Sequence, residues 1–134
     1  MKGSIEAVTL LSTYIAKNVD MRVFKYKKDV NLKNAPYICL NSLQFSYNAW
    51  HNSYNVINVN VHYPSNSDGS PNVEELNKMV ERVFSLIPQR NATTEDDDRV
   101  LMIKGYIYEI ENDSNCMEDT DGTFFVNIRV CVTF

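Results

Sequence analysis

Residues 55–63, NVINVNVHY, alternate apolar and polar side chains almost without a break. Period two marks a strand with one face buried. It points Ile57, Val59, Val61 and Tyr63 toward a core and puts Val56, Asn58, Asn60 and His62 on the opposite, polar side. Pro64 ends the run, the turn-rich PSNSDGSP follows, and Asn72 with Glu75 three residues later forms a pair that opens helices. Val73, Leu76, Val80, Val83, Phe84 and Ile87 then fall at helical spacing until Pro88 stops them. The middle of the chain is therefore a strand-to-helix crossover, a scaffold element and not a site.

The flanks fill in around it. Ile5, Val8, Leu11, Ile15 and Val19 predict a helix over residues 4–18, with Ser4 as its cap and Glu6 in the first turn, where the helix dipole favours it. A short strand follows over 23–27, with Phe24 and Tyr26 on one face and Lys25, Lys27 and Lys28 on its solvated side. A longer strand runs over 37–47, and its alternation slips near Asn41 and Ser42, where a bulge would fit. Residues 89–99, QRNATTEDDDR, read as a solvated loop. Strands over 100–111 and 124–134 close the chain as a hairpin whose tip, NDSNCMEDTDG, is long and acidic. The expected fold is one α+β domain over residues 1–134: helix, three strands, helix, two strands. Its sheet is mixed or antiparallel, of about five strands, with the two main helices packed on it. A chain of 134 residues can bury roughly two-thirds of its unfolded surface around one core.

Charge and cysteine usage narrow the function. Thirteen basic and 17 acidic residues, net -4, argue against a protein whose task is to wrap nucleic acid. Cys39, Cys116 and Cys131 are far apart, odd in number and outside any CxxC or Cys/His spacing, so neither a disulfide framework nor a zinc site is expected and folding in a reducing compartment is the simpler reading. No apolar run is long enough for a membrane span, and Glu6 sits where a signal peptide needs its hydrophobic centre.

Candidate chemistry is thin. With Gly69 at the sixth position of a calcium loop the first falls on Pro64, which has no side-chain oxygen, and MEDTDG fails in the same way at Met117. His51 and His62 lack metal-ligand spacing and read as surface histidines. Cys131 alternates with Arg129 and Thr133 on an outward face, with nothing nearby to activate it as a nucleophile. No GxGxxG or GxxxxGK cradles a phosphate. Asp96, Asp97 and Asp98 read as a solvated charge patch rather than an acid or two-metal cluster. Tyr37, Phe45, Tyr47, Trp50 and Tyr54 crowd the middle of the chain and serve either the core or a protein interface. No catalytic set, metal or cofactor is expected, and an enzyme is disfavoured.

The succession of an amphipathic helix, a strand pair, VINVNVHYPS, a turn, VEELNKMVERVFSLI, a polar loop and the closing pair RVLMIKGYIYEIE and TFFVNIRVCVTF resembles the tail-terminator and tail-completion proteins of long-tailed bacteriophages. The passage INVNVHYPS…G…VEELN and the alternating last strand carry most of that likeness, which spans nearly the whole chain. It implies a virion protein assembled in the host cytoplasm. The protomer would be α+β and join a homo-oligomeric, usually hexameric ring that caps the tail tube and meets the head-side connector. DNA would pass through the ring without specific binding, and no membrane is involved. Thr93, Asp96, Asp97 and Asp98 in the polar loop, and Glu118, Asp119 and Asp121 in the hairpin tip, are then the candidate interface or channel residues. Another neck component such as a head-tail stopper is the near alternative. A small enzyme or ligand-binding domain with an aromatic pocket is the distant one.

Overall fold

A computed structural model describes residues 3–45, 55–90 and 99–134. Helix α1 (Ser4–Asn18) and helix α2 (Val73–Leu86) lie against a mixed sheet of seven strands: β1 (Arg22–Lys25), β2 (Tyr37–Ser42), β3 (Asn55–Pro64), β4 (Leu101–Ile103), β5 (Tyr106–Asp113), β6 (Met117–Glu118) and β7 (Thr123–Thr133). The order across the sheet is β1-β2-β3-β7-β5-β4, with β6 added to β7, and the sheet curls into a half-barrel. Only β1 and β2 are parallel among the paired strands.

Both helices cover one face of the sheet. α1 packs on β1 and β2, and α2 on β3 and β7. On that face the register stacks Ile38, Val61 and Val126 in one row and Leu40, Val59 and Ile128 in the next, all buried. The alternation in β3 thus does what period two demands on its core side: Ile57, Val59 and Val61 are fully buried and Tyr63 packs against them. From the helices come Val8, Leu11 and Ile15, then Leu76, Val80 and Val83. Two tyrosines of β5 fasten α1 to the sheet. Tyr108 Oη donates to the Ala7 carbonyl at 2.7 Å, while Tyr106 Oη donates to Glu6 Oε1 at 2.8 Å and accepts from the Gly3 amide at 2.8 Å.

Several local readings change. Gly3 and not Ser4 precedes α1, without a side-chain cap, and Ile5 points to solvent at 71% exposure. Ala7 and Ser12 take up the buried face instead. Asn72 does cap α2, accepting from the Glu75 amide, but the Glu75 carboxylate turns to Lys78 and does not complete a reciprocal pair. Val73 is exposed. Tyr26 takes a left-handed φ of 66° and ends β1 early. β2 stops at Ser42 and its pairing with β3 runs unbroken from Tyr37 to Ser42, so the bulge expected there is absent; one occurs in β5, between Ile110 and Asn112. The single strand read over 100–111 is two, because Lys104 and Gly105 both have positive φ (48° and 86°) and close a two-residue hairpin. Gln89 bridges to Ile110 beside it, so the loop over 89–99 begins as a sheet partner, and its residues 91–98 lie outside the described residues.

Candidate functional site

The other face of the sheet turns away from the helices, and period two alone would make it a wet surface. It is a second, partly buried polar layer. The Asn41, Asn58, Asn60 and Asn127 side chains bond across β2, β3 and β7: Asn58 Nδ2 donates to Asn41 Oδ1 at 2.9 Å, and Asn127 Nδ2 to Asn60 Oδ1 at 2.8 Å. Cross-strand pairs of this kind stiffen a sheet while satisfying groups that water would otherwise need to reach.

Next to the amides lies a row of rings. Tyr37, His62 and Phe125 are register partners on β2, β3 and β7, and the imidazole stacks between the other two, with centroids 4.2 Å from Tyr37 and 4.9 Å from Phe125. His62 is 5% exposed. The expectation of a surface histidine is therefore wrong: the strand's polar side is roofed by its neighbours' rings and by the turn that follows β6.

That turn corrects the picture of the acidic tip. Within residues 112–122, β6 pairs back onto Phe124 and Phe125, and residues 119–122 form a tight turn with Gly122 at φ 84°. It aims two carboxylates at the ring row. Asp121 Oδ1 accepts from the Thr123 hydroxyl at 2.5 Å and the Thr123 amide at 3.1 Å. Its Oδ2 accepts from Tyr37 Oη at 2.6 Å and lies 3.0 Å from Lys28 Nζ. Asp119 Oδ2 is 3.7 Å from His62 Nδ1. Lys28 arrives from the loop after β1 and also sits over the Tyr37 ring, 5.2 Å from its centroid.

One proton fixes the imidazole. The Thr123 hydroxyl donates its single hydrogen to Asp121, so toward His62, 2.9 Å away, it can only accept, and His62 carries hydrogen on Nδ1. Nε2 is then the lone-pair nitrogen. Burial lowers the His62 pKa, outweighing the upward pull of Asp121 and Asp119, so the ring is neutral near neutral pH. Burial pushes the Asp121 carboxyl up, but the hydrogen bonds from Thr123, Tyr37 and Lys28 prevail and hold it well below the usual carboxylate range. Burial, reinforced by Asp121, raises the Tyr37 hydroxyl far above its ordinary value and keeps it a donor.

Lys28, Tyr37, His62, Asp119 and Asp121 border a cleft of about 240 Å³, with Tyr26, Cys39 and Asn60 on its other walls. His62, Asp119 and Asp121 offer ligand atoms within 4.8 Å of one another, a cluster that sequence spacing does not reveal. The donor set is nevertheless a poor fit for a metal ion, because both Asp121 oxygens already accept hydrogen bonds and the Lys28 ammonium already neutralises that carboxylate at 3.0 Å. Nor is there an activated thiol: burial raises the pKa of Cys39, and pushes that of Cys131, which lies on the face turned from the helices but is buried there beside Arg90, up to about 11.

Of the residues singled out from sequence, Asp119 and Asp121 join this constellation, and Glu118 stands exposed on β6. Thr93, Asp96, Asp97 and Asp98 lie outside the described residues, as do His51, Tyr47, Trp50 and Tyr54. The aromatic group does not gather where its described members are concerned: Tyr37 is in the ring row, while Phe45 is in the core beside Phe134. In the opening turn Asp68 bonds the Ser70 amide and hydroxyl and shapes its own loop.

No protein-family model matches the chain, and no curated protein matches it. A solved structure with 16% sequence identity superposes over 96% of this chain and 92% of its own with a TM-score of 0.60. At that identity the likeness speaks for the fold alone.

Proposed function

We propose that the chain is a structural protein of a tailed bacteriophage virion, a ring-forming tail terminator or completion protein that caps the tail tube and meets the head-side connector. The observation that carries the reading is the element order, an amphipathic helix, three strands, the crossover helix and closing hairpins, arranged as one open sheet with both helices on one face. An open sheet has two unlike edges, and exposed apolar side chains stand at them: Met102 (62%) and Val100 (74%) near β4, and Val30 (66%) after β1. Such edges suit contact between protomers, the main chemistry a ring of this kind needs. The Asp121 network is in this view a structural staple. Among the described residues no helix is long and apolar enough to cross a membrane. A head-tail stopper remains the near variant of the same reading.

The test is tube capping. Tail tubes assembled without this chain are mixed with the purified protein and imaged. A ring on one end of each tube is expected, and tubes that stay bare or keep growing refute the assignment.

A second reading follows from the cleft itself. A neutral imidazole held in one tautomer, with a carboxylate relayed through Thr123, is an arrangement that ligand-binding and proton-transfer sites use. It ranks below the first because the Asp121 carboxylate is already matched by Lys28 and Tyr37. Small-molecule screening by His62 imidazole NMR shifts would raise it.

A further inference from the structure

Arg129 is charged, partly buried and unmatched. It stands on β7 on the sheet face turned from the helices, where its register partners are Asn58 on β3 and Asn112 on β5. Neutral amides thus hold the positions from which a carboxylate could pair with it across the strands. Its guanidinium makes no hydrogen bond or ion pair with any described residue. Its Nε is shut off from water and has no partner, the one such side-chain nitrogen or oxygen among the described residues. The neighbouring cations are already balanced. Arg90, one row along, donates to Cys131 Sγ at 3.4 Å with Glu109 and Glu111 close to the same thiol, and Lys28 is paired with Asp121.

The amides beside Arg129 add to the imbalance. Asn58 Nδ2 and Asn127 Nδ2 donate to the side-chain oxygens of Asn41, Asn58 and Asn60, so those acceptors are used. The Asn41 and Asn60 nitrogens, and the second hydrogen of Asn58 Nδ2, have no acceptor among the described residues. What this patch lacks is an acceptor that carries negative charge. A guanidinium whose head reaches water can simply be hydrated, and that accounts for its terminal nitrogens. It does not account for Nε, an orphan donor of a kind folded proteins rarely keep. Folding has already stripped part of the water that an anion would have to displace, and attraction between charges is stronger where water is thinner.

We propose that this patch is a docking site for a carboxylate, an aspartate or glutamate side chain of a partner protein, seated on the Arg129 guanidinium beside the Asn58 amide. One guanidinium among neutral amides matches a single negative charge, and its planar fork matches the two oxygens of a carboxylate. A nucleic-acid backbone would call for a row of cations, and this chain carries net −4. A strand face offers itself to a second protein, whereas small ligands take concave pockets such as the His62 cleft. The inference goes beyond the ring reading, since it names a contact chemistry that holds whatever the partner is.

The experiment follows the Arg129 Nε–H and Asn58 side-chain amide signals in ¹H–¹⁵N spectra of the full chain. The probe is a blocked Gly-Glu-Gly tripeptide, with the Gly-Gln-Gly peptide as control. The Glu peptide is expected to shift these signals saturably, at a Kd on the order of millimolar, and the Gln peptide to leave them in place. Arg129→Gln is expected to abolish the binding. If that variant misfolds, Asn112→Asp decides alone: Asn112 is exposed, and a carboxylate there lies across from Arg129, so the variant is expected to weaken the peptide about tenfold and to raise the melting temperature. No shift, or equal shifts from both peptides, overturns the proposal. Acetate that binds as tightly as the peptide overturns it in favour of a small carboxylate ligand, and phosphate or a single-stranded oligonucleotide that saturates the same signals at lower concentration overturns it in favour of a phosphate partner. Signals that move with protein concentration alone replace the foreign partner with a second copy of this chain.

Discussion

The Thr123 hydroxyl stands 2.9 Å from His62 Nδ1 and passes its only hydrogen to Asp121 at 2.5 Å, so one side chain orients both an imidazole and a carboxylate. Thr123→Val keeps the shape and removes both bonds. Leaving a buried nitrogen without its acceptor costs about 1–3 kcal/mol, against a total stability of roughly 5–15 kcal/mol. Urea unfolding is expected to register that loss for Thr123→Val and little of it for Thr123→Ser. Equal losses in the two variants would mean that the hydroxyl is not the link.

Acid should destabilise the fold in two separate steps. The folded His62 pKa lies below its free value, so the unfolded chain binds the proton first, and stability falls as pH drops from about 6.5 toward the lower folded pKa. Asp121 has the same sign in a lower window: its contribution is present above about 3.9 and is lost as pH falls toward its depressed folded pKa. Melting temperatures between pH 7 and 5 are expected to slope for the parent and to flatten for His62→Phe, which keeps the ring stack. A slope unchanged in His62→Phe would assign the acid sensitivity to other groups.

Metal removal is expected to do nothing. With Lys28 already 3.0 Å from Asp121, a divalent ion would have to displace an ammonium and the Tyr37 hydroxyl. Chelator should leave the melting temperature unaltered, and added zinc at neutral pH should not raise it. A zinc-dependent rise that disappears in Asp121→Asn would show the cluster acting as a site.

The core is where sequence pattern and structure agree. Val59 is fully buried between Leu40 and Ile128, as the alternation in residues 55–63 requires, and Val59→Asp is expected to abolish soluble folded protein through an unpaired buried charge. Expression and circular dichroism check this directly.

The same alternation misleads on the other face. Period two separates two faces of a strand but does not say that the second is wet, and His62 is covered because Tyr37 and Phe125 are its partners on β2 and β3's other neighbour, β7. Those pairings join residues far apart in sequence. The carboxylates could not be placed for a related reason: Asp121 acts through a turn that folds back over the sheet, whereas composition gives only a long acidic tip. Local signals did exist for two missed features. Asp121-Gly122 is a turn pair, and Lys104-Gly105 closes a hairpin inside what reads as one continuous strand.

Acidic residues near the two hairpins should therefore divide by role, and that division tests the assembly reading most sharply. Asp121 is tied to Tyr37, Lys28 and Thr123, so Asp121→Asn is expected to lower stability by about 1–3 kcal/mol before any question of assembly arises. Glu118 is exposed on β6, and Asp96, Asp97 and Asp98 belong to a polar stretch with one apolar residue, Ala92. Replacing Glu118 with glutamine should leave the unfolding curve superimposable on the parent, as surface changes usually do, and serine at those three aspartates is expected to do the same from the polar composition of their stretch. On the ring reading one of those two variants nevertheless fails to restore a phage lacking this chain, because its charge faces the channel or the adjoining ring. Full phage yield from both variants would remove these loops from the interface, and loss of folding in the triple serine variant would make that stretch structural.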